Sequence, residues 1–353
     1  MKKILKVTAI LFLIIIAYVF YIFYSTGFFR KVENSFAGTI EKQIELPGVE
    51  DMQISYEDNF ILLSSDDRAG RRDGNKEKGH LYYIDLTNKL FQPIQLTTEL
   101  KIPFYPHGIS MIRIAENRYR VYAVNHVDGK HSIEVFDLQD DSLTHIRTLQ
   151  HNSMISPNDI VAIDKERFYF TNDHGFTKGL GKLGEEYLGW AASNVVYFDG
   201  KEYREVADGI AYANGINLDF NRSLLFVASP RDFLVKVFHI KDDGDLDFIE
   251  DVDCGTGVDN IELTPEGKMW IGCHPNLLAF AAYAKGSEPI SPSEIITIDY
   301  RNKGDYSKEI VFLDDGEHMS ASTVATEYKD LIFVGNVMDS HFLILKKERH
   351  TQN

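Results

Sequence analysis

Residues 158–171 read Asn158-Asp159-Ile160-Val161-Ala162, a turn at Asp164-Lys165-Glu166, then Arg167-Phe168-Tyr169-Phe170-Thr171. A polar pair opens a β-branched run, a charged turn reverses the chain, and an aromatic run returns, which is the pattern of two paired strands. The same phrase recurs on both sides. Glu50-Asp51-Met52-Gln53-Ile54 precedes 59–63, His107-Gly108-Ile109-Ser110 precedes 118–124, Ala213-Asn214-Gly215-Ile216-Asn217 precedes 224–228, and Val258-Asp259-Asn260-Ile261 precedes 268–272. From Glu50 through His107, Asn158 and Asn214 to Asp259 the steps are 57, 51, 56 and 45 residues. Ser322-Thr323-Val324-Ala325, 63 residues after Asp259, leads into a sixth such pair at 331–335. Six units of this size predict an all-β fold, a six-bladed β-propeller. Short helices are expected at 183–193 and 274–286.

The chain has 353 residues, 44% hydrophobic and 25% charged, enough for a packed core. Its net charge of −16 argues against a nucleic-acid partner, which favours a basic face. Cys254 and Cys273 are the only cysteines, so no disulfide framework exists; two buried free thiols are expected, and the redox compartment stays open.

Residues 7–29 hold no charged side chain, and 23 residues are enough to cross a bilayer as a helix. Lys2, Lys3 and Lys6 precede the stretch, which places the N-terminus in the cytoplasm, although Arg30 and Lys31 follow it. Aromatic residues crowd the exit and no small-residue cleavage site appears, so an uncleaved anchor over 1–30 is expected. The remainder, 31–353, reads as one propeller domain held outside the cytoplasm.

A radial repeat gathers the polar phrases at one axis. Glu50, Asn158, Asn214, Asp259 and Asn260 there supply two acids and three amides, the oxygen donors a hard cation such as calcium takes. Asp51 and Asp159, one residue further on, point to the other side and could hold a second ion with a main-chain carbonyl. Asn and Asp also cap turns, and that reading applies to any one of them. Five in register, with acids on three blades, favour the cation. His107 and His126 bracket a strand pair of one repeat and suit water activation, or else merely bind a loop. His174 and His274 occupy similar positions after their strands. No zinc-finger spacing, nucleophile elbow or phosphate-binding glycine loop is present.

These residues resemble the serum paraoxonase/arylesterase family of calcium-dependent lactonases. The likeness is dense over about 104–278 and rests on Pro106-His107-Gly108-Ile109-Ser110, Val124-Asn125-His126, Asn158-Asp159-Ile160-Val161-Ala162, Thr171-Asn172-Asp173-His174, Ala213-Asn214-Gly215-Ile216-Asn217, Val258-Asp259-Asn260-Ile261 and 270–276. The resemblance implies a six-bladed propeller with two calcium ions. Glu50, Asn158, Asn214, Asp259 and Asn260 would hold the catalytic ion. Asp51, Asp159 and the carbonyl of Ile109 would hold the structural one. His107, assisted by His126, would deprotonate water for attack on a small lactone or aryl ester, and the apolar N-terminus would be a retained membrane anchor.

Three departures stand out. The family's disulfide closing the ring is absent, so closure rests on strand pairing. The usual apolar lid is replaced by Ser64-Ser65-Asp66-Asp67-Arg68-Ala69-Gly70-Arg71-Arg72-Asp73-Gly74, which admits a more polar or anionic substrate. Tyr212 stands where the family has Phe. Two rival readings remain: a propeller that keeps calcium only for stability and binds a partner, and a sugar-lactonase or strictosidine-synthase-like enzyme. The oligomeric state is not legible.

Overall fold

A computed structural model describes residues 2–348; Met1 and 349–353, which the two expected segments include, lie outside it. Six antiparallel sheets follow one another along the chain. Blade one comprises Val49–Ser55, Phe60–Ser65, His80–Asp85 and Ile94–Gln95. Blade two runs from Pro106–Ala115 to Ser142–Leu149, blade three from Pro157–Ala162 to Tyr203–Ile210, and blade four from Ile216–Asp219 to Leu246–Asp253. Blade five runs from Gly257–Leu263 to Asp305–Asp314 and gains Ser35–Phe36 as a fifth strand.

Blade six closes the ring. Its inner strands Ser322–Tyr328, Leu331–Asn336 and His341–Lys347 come from the C-terminal end, and its outer strand Gly38–Glu45 comes from the N-terminal end. Gly38 lies opposite Lys347 and Glu45 opposite His341. Strand pairing therefore joins the two ends, as expected where no disulfide is available. Cys254 and Cys273 are both buried and free.

The second strand of each blade is apolar at nearly every position, for example Phe60, Ile61, Leu62 and Leu63, or Leu225, Phe226, Val227 and Ala228, all buried. Such strands are covered on both faces by neighbouring blades, which is why they read as continuous apolar runs and not as alternating ones. The interblade layers hold Trp270, Phe333 and Phe342 on one side of the ring and Phe168, Phe170 and Tyr122 on another.

Three helices decorate the loops of the propeller: Arg68–Arg72, Gly179–Leu188 and Leu277–Ala284. The latter two match the helical stretches expected near 183–193 and 274–286. The N-terminal helix Lys2–Ser25 is long and apolar enough to span a bilayer, about 36 Å at 1.5 Å per residue, and buries none of its length in the propeller. Its exit is fixed firmly. Leu277 N donates to Thr26 O, Arg231 Nη1 donates to Ser25 Oγ at 3.2 Å, and Arg30 makes two 2.6 Å bonds to Glu294, which is 1% exposed. Gly27, at φ +72°, lies so close to Pro275 O that a Cβ would stand 2.2 Å from it. The charge of Arg30 is thus committed to a buried carboxylate.

Candidate metal centre and its histidines

The polar phrases open the innermost strands, and there the ladders slip. Register shifts fall between Val49 and Asp51, Pro106 and Ile109, Pro157 and Ile160, Val258 and Ile261, and Ser322 and Val324. Each bulge adds a residue to the inner strand and re-aims its side chains, here toward the axis. Glycine permits the close approach between blades. A Cβ on Gly108 would stand 2.3 Å from Asp159 Oδ1, and one on Gly215 would stand 2.4 Å from Asp259 O.

The five expected ligands come together and are buried, none more than 6% exposed. Asn260 Nδ2 donates to the main-chain oxygen of Glu50 at 2.9 Å and to Glu50 Oε1 at 3.0 Å. Asn158 Nδ2 reaches Asp173 Oδ2 at 3.5 Å, and Asp259 Oδ2 lies 2.8 Å from His274 Nε2. Those contacts use one end of each group. The other ends, Glu50 Oε2, Asn158 Oδ1, Asn214 Oδ1, Asp259 Oδ1 and Asn260 Oδ1, are buried with no hydrogen-bond partner. Turn caps would have theirs occupied. Five orphaned acceptors, one from each expected residue, constitute a donor set for an oxygen-seeking cation. Among the described residues no group of three or more acids, imidazoles or thiols is arranged to hold a metal; the donor set is a mixture of acids and amides. Burial raises the Glu50 and Asp259 carboxyls, opposed by Arg68 at the first and by the His274 bond at the second.

Asp51 and Asp159 sit differently. Asp51 accepts from Met52 N at 2.8 Å and from Ile109 N at 2.7 Å; Asp159 accepts from Ile160 N and from Ile216 N, both at 2.7 Å. Each ties its blade to the next. Burial lifts both carboxyls well above their usual range, and for Asp51 the neighbouring Asp159 adds to this. Each oxygen keeps a free lone pair, so the pair suits a second cation by charge, although no atom there is orphaned. Glu262 is buried and also held well up, first by burial and then by the charge of Asp159. Nothing in its repeat marks this acid as part of the axis.

His107 and His126 face each other nearly perpendicularly, ring centres 5.1 Å apart. His107 Nε2 is 3.3 Å from Glu50 Oε1, and its Nδ1 is 3.0 Å from Arg68 Nη2. A guanidinium only donates, so Nδ1 of His107 accepts and its proton sits on Nε2, toward the acid. Burial and then Arg68 hold His107 neutral, its pKa down at about 3. His126 is held low by burial and by the other two imidazoles, and its Nδ1 is 2.7 Å from Nδ1 of His131. His131 opens onto a groove of about 510 Å³ lined by Lys130, His151 and Met154. Neither Arg68 nor His131 is singled out by the repeat, because each belongs to one blade alone.

His174 and His274 prove not to be equivalent. Phe170 pairs with Ile160 and Ile271 with Ile261, so His274 corresponds to Asp173, one residue before His174. Each nonetheless holds an acid of the site, Asp173 at 2.7 Å and Asp259 at 2.8 Å. Tyr212, at φ +65°, packs its ring 5.1 Å from that of His174.

Comparison with known proteins agrees with this architecture. The Arylesterase family model matches residues 70–343. Human "Serum paraoxonase/arylesterase 1" is 36% identical over 237 residues, which cover 66% of this chain and 66% of that protein. Rabbit (Oryctolagus cuniculus) "Serum paraoxonase/lactonase 3" is 31% identical over 267 residues, 74% of this chain and 75% of that one. Among solved structures, a luciferin-regenerating enzyme superposes with a TM-score of 0.57 at 11% identity, covering 90% of this chain and 96% of its own, a likeness of fold alone. Repeat, ring and family model converge: the chain belongs to the arylesterase family, that of the serum paraoxonase/arylesterases.

Proposed function

We propose that this protein is a membrane-anchored, calcium-dependent hydrolase of lactones and aryl esters. The observation that carries the reading is the set of five orphaned oxygens on Glu50, Asn158, Asn214, Asp259 and Asn260. Calcium held there would supply positive charge for a carbonyl oxygen that becomes an oxyanion, and stabilising that oxyanion is usually what accelerates ester hydrolysis most. Asp51 and Asp159, with the Ile109 carbonyl, would hold a second, structural ion. A propeller that kept calcium only for stability would need that second set alone, and the open oxygens would have no purpose.

The protein's own groups divide the remaining work. With Nδ1 bonded to Arg68, His107 has no free lone pair and serves as a donor facing Glu50. His126 is therefore the better base: with Nδ1–H donated to His131, its Nε2 takes a proton from water. The expected pair is kept, with its roles exchanged. Residues 1–30 would anchor the chain with the N-terminus cytoplasmic, and the domain from 31 onward would stand on the extracytoplasmic side.

The test is hydrolysis of neutral lactones and phenyl acetate by the full chain in detergent, with calcium and after chelation. Turnover lost on chelation and restored by calcium, but absent in Asp259→Ala, is the expected result. Activity indifferent to calcium would overturn the reading.

A further inference from the structure

Arg68 is a mostly buried cation whose hydrogen-bond partners are neutral. Its side chain is 14% exposed. Nη2 donates to Pro106 O at 3.3 Å and to His107 Nδ1 at 3.0 Å, while Nη1 is buried without a partner. The carboxylate oxygen beside it, Asp66 Oδ2, is 3.8 Å from its Nε, beyond hydrogen-bond reach. Asp66 is already matched, since its Oδ1 takes Arg71 at 2.5 Å. Arg71 also lies over the Tyr105 ring, and Arg72 is tied to Asp73 and to the last carbonyls of helix Leu277–Ala284. Two of the three lid arginines are thus accounted for.

Of the three lid arginines, Arg68 alone hydrogen-bonds only to neutral acceptors. A divalent cation in the ring would face Glu50 and Asp259, while Asp66 pairs with Arg71 and Asp173 with His174. Arg68 stands one imidazole away from Glu50, through His107, and Asp66 Oδ2, 3.8 Å from its Nε, is too far to accept a hydrogen bond from it. A desolvated guanidinium is costly without an anion, and its strong bonds are those to anionic oxygens. The net charge of −16 does not cancel this, because exposed charges are screened within about 8 Å in physiological salt.

We infer that Arg68 anchors a carboxylate of the substrate, so that the preferred ester or lactone is one carrying an acid group beside its reacting carbonyl. This rests on the hydrolase reading above and narrows its substrate class. Arg68 is in this role a specificity residue, acting on the part of the substrate that does not react.

The experiment compares two five-membered lactones, identical except for a ring carboxylate, on the calcium-loaded full chain. The carboxylated one should have the higher kcat/KM. Arg68→Met should lower its value about ten- to hundredfold, the worth of one hydrogen bond to a charged group, while the neutral lactone falls far less. Equal losses on both substrates would mean that Arg68 serves only His107 and would overturn the inference, as would a wild-type protein with no preference. Should Arg68→Met fail to fold, competition decides: succinate should inhibit hydrolysis of the neutral lactone by wild type, and absence of inhibition refutes the anchor. If neither lactone is hydrolysed, the hydrolase reading fails instead. Calorimetric binding of the carboxylated lactone to wild type then supports the anchor, and no binding rejects it.

Discussion

His274 Nε2 lies 2.8 Å from Asp259 Oδ2, and its ring is stacked on Phe280 with centroids 3.9 Å apart and planes 9° apart. The stack fixes the imidazole and the imidazole fixes the carboxylate, leaving Oδ1 of Asp259 turned to the ring of open oxygens. Partners of this kind are typically worth 10- to 100-fold in metal affinity. His274→Ala should weaken calcium binding by about that factor in a titration of the full chain. Unchanged affinity would reduce the pair to core packing.

Metal removal should also make stability fall with rising pH. Burial raises the carboxyls of Glu50, Asp51, Asp159, Asp259 and Glu262 in the folded chain. Without calcium the folded state therefore binds more protons than the unfolded one, and stability falls as pH rises above about 4, where free carboxyls titrate. Bound calcium displaces those protons and removes the effect. The gain in Tm on adding calcium should thus be larger at pH 8 than at pH 5, and proton release should accompany binding. An equal gain at both would contradict the assigned ring.

The two site histidines should differ when replaced. His126→Gln removes the base and should cost about 10²–10⁴ in kcat. His107→Gln keeps a donor toward Glu50 and should cost much less. A larger loss at His107 would return the basic role to it.

Arg30 offers a test of the junction between helix and propeller. Arg30→Ala leaves Glu294, 1% exposed, without its partner. Breaking a buried pair costs about 3–5 kcal/mol, and the value here should be at the lower end because Arg30 is 26% exposed. Chemical denaturation should show the loss, and Arg30→Ala with Glu294→Gln should recover part of it. No loss would mean that the contacts of Ser25, Thr26 and Gly27 suffice to hold the helix exit.

The repeat makes much of this legible. Glu50, Asn158, Asn214, Asp259 and Asn260 can be found because the same geometry is built again in each blade, so spacing alone lines them up. The bulges at Glu50, Asn158, Asp259 and Asn260 cannot, since a slipped register leaves no mark in residue type, and Asn214 lies ahead of a strand with no such slip. Arg68 is visible only as part of an unusually charged segment, and its position on His107 depends on how a five-residue helix is set against blade two. His131 and Glu262 escape the repeat for a related reason: each acts once, through a contact in space that no periodicity announces.

The pairing of Gly38–Glu45 with His341–Lys347 sets the order in which this protein can be made. The outer strand leaves the ribosome ahead of blades one to five, and its partner only after them. Until then it waits as an open edge, a form that invites pairing with other chains. Its sequence, GTIEKQIE, sets Glu41, Lys42 and Glu45 among its few apolar residues, the kind of charge that discourages such pairing. Completion of the ring consequently waits until the other five blades have been made, and any truncation before His341 leaves the sixth blade without its clasp.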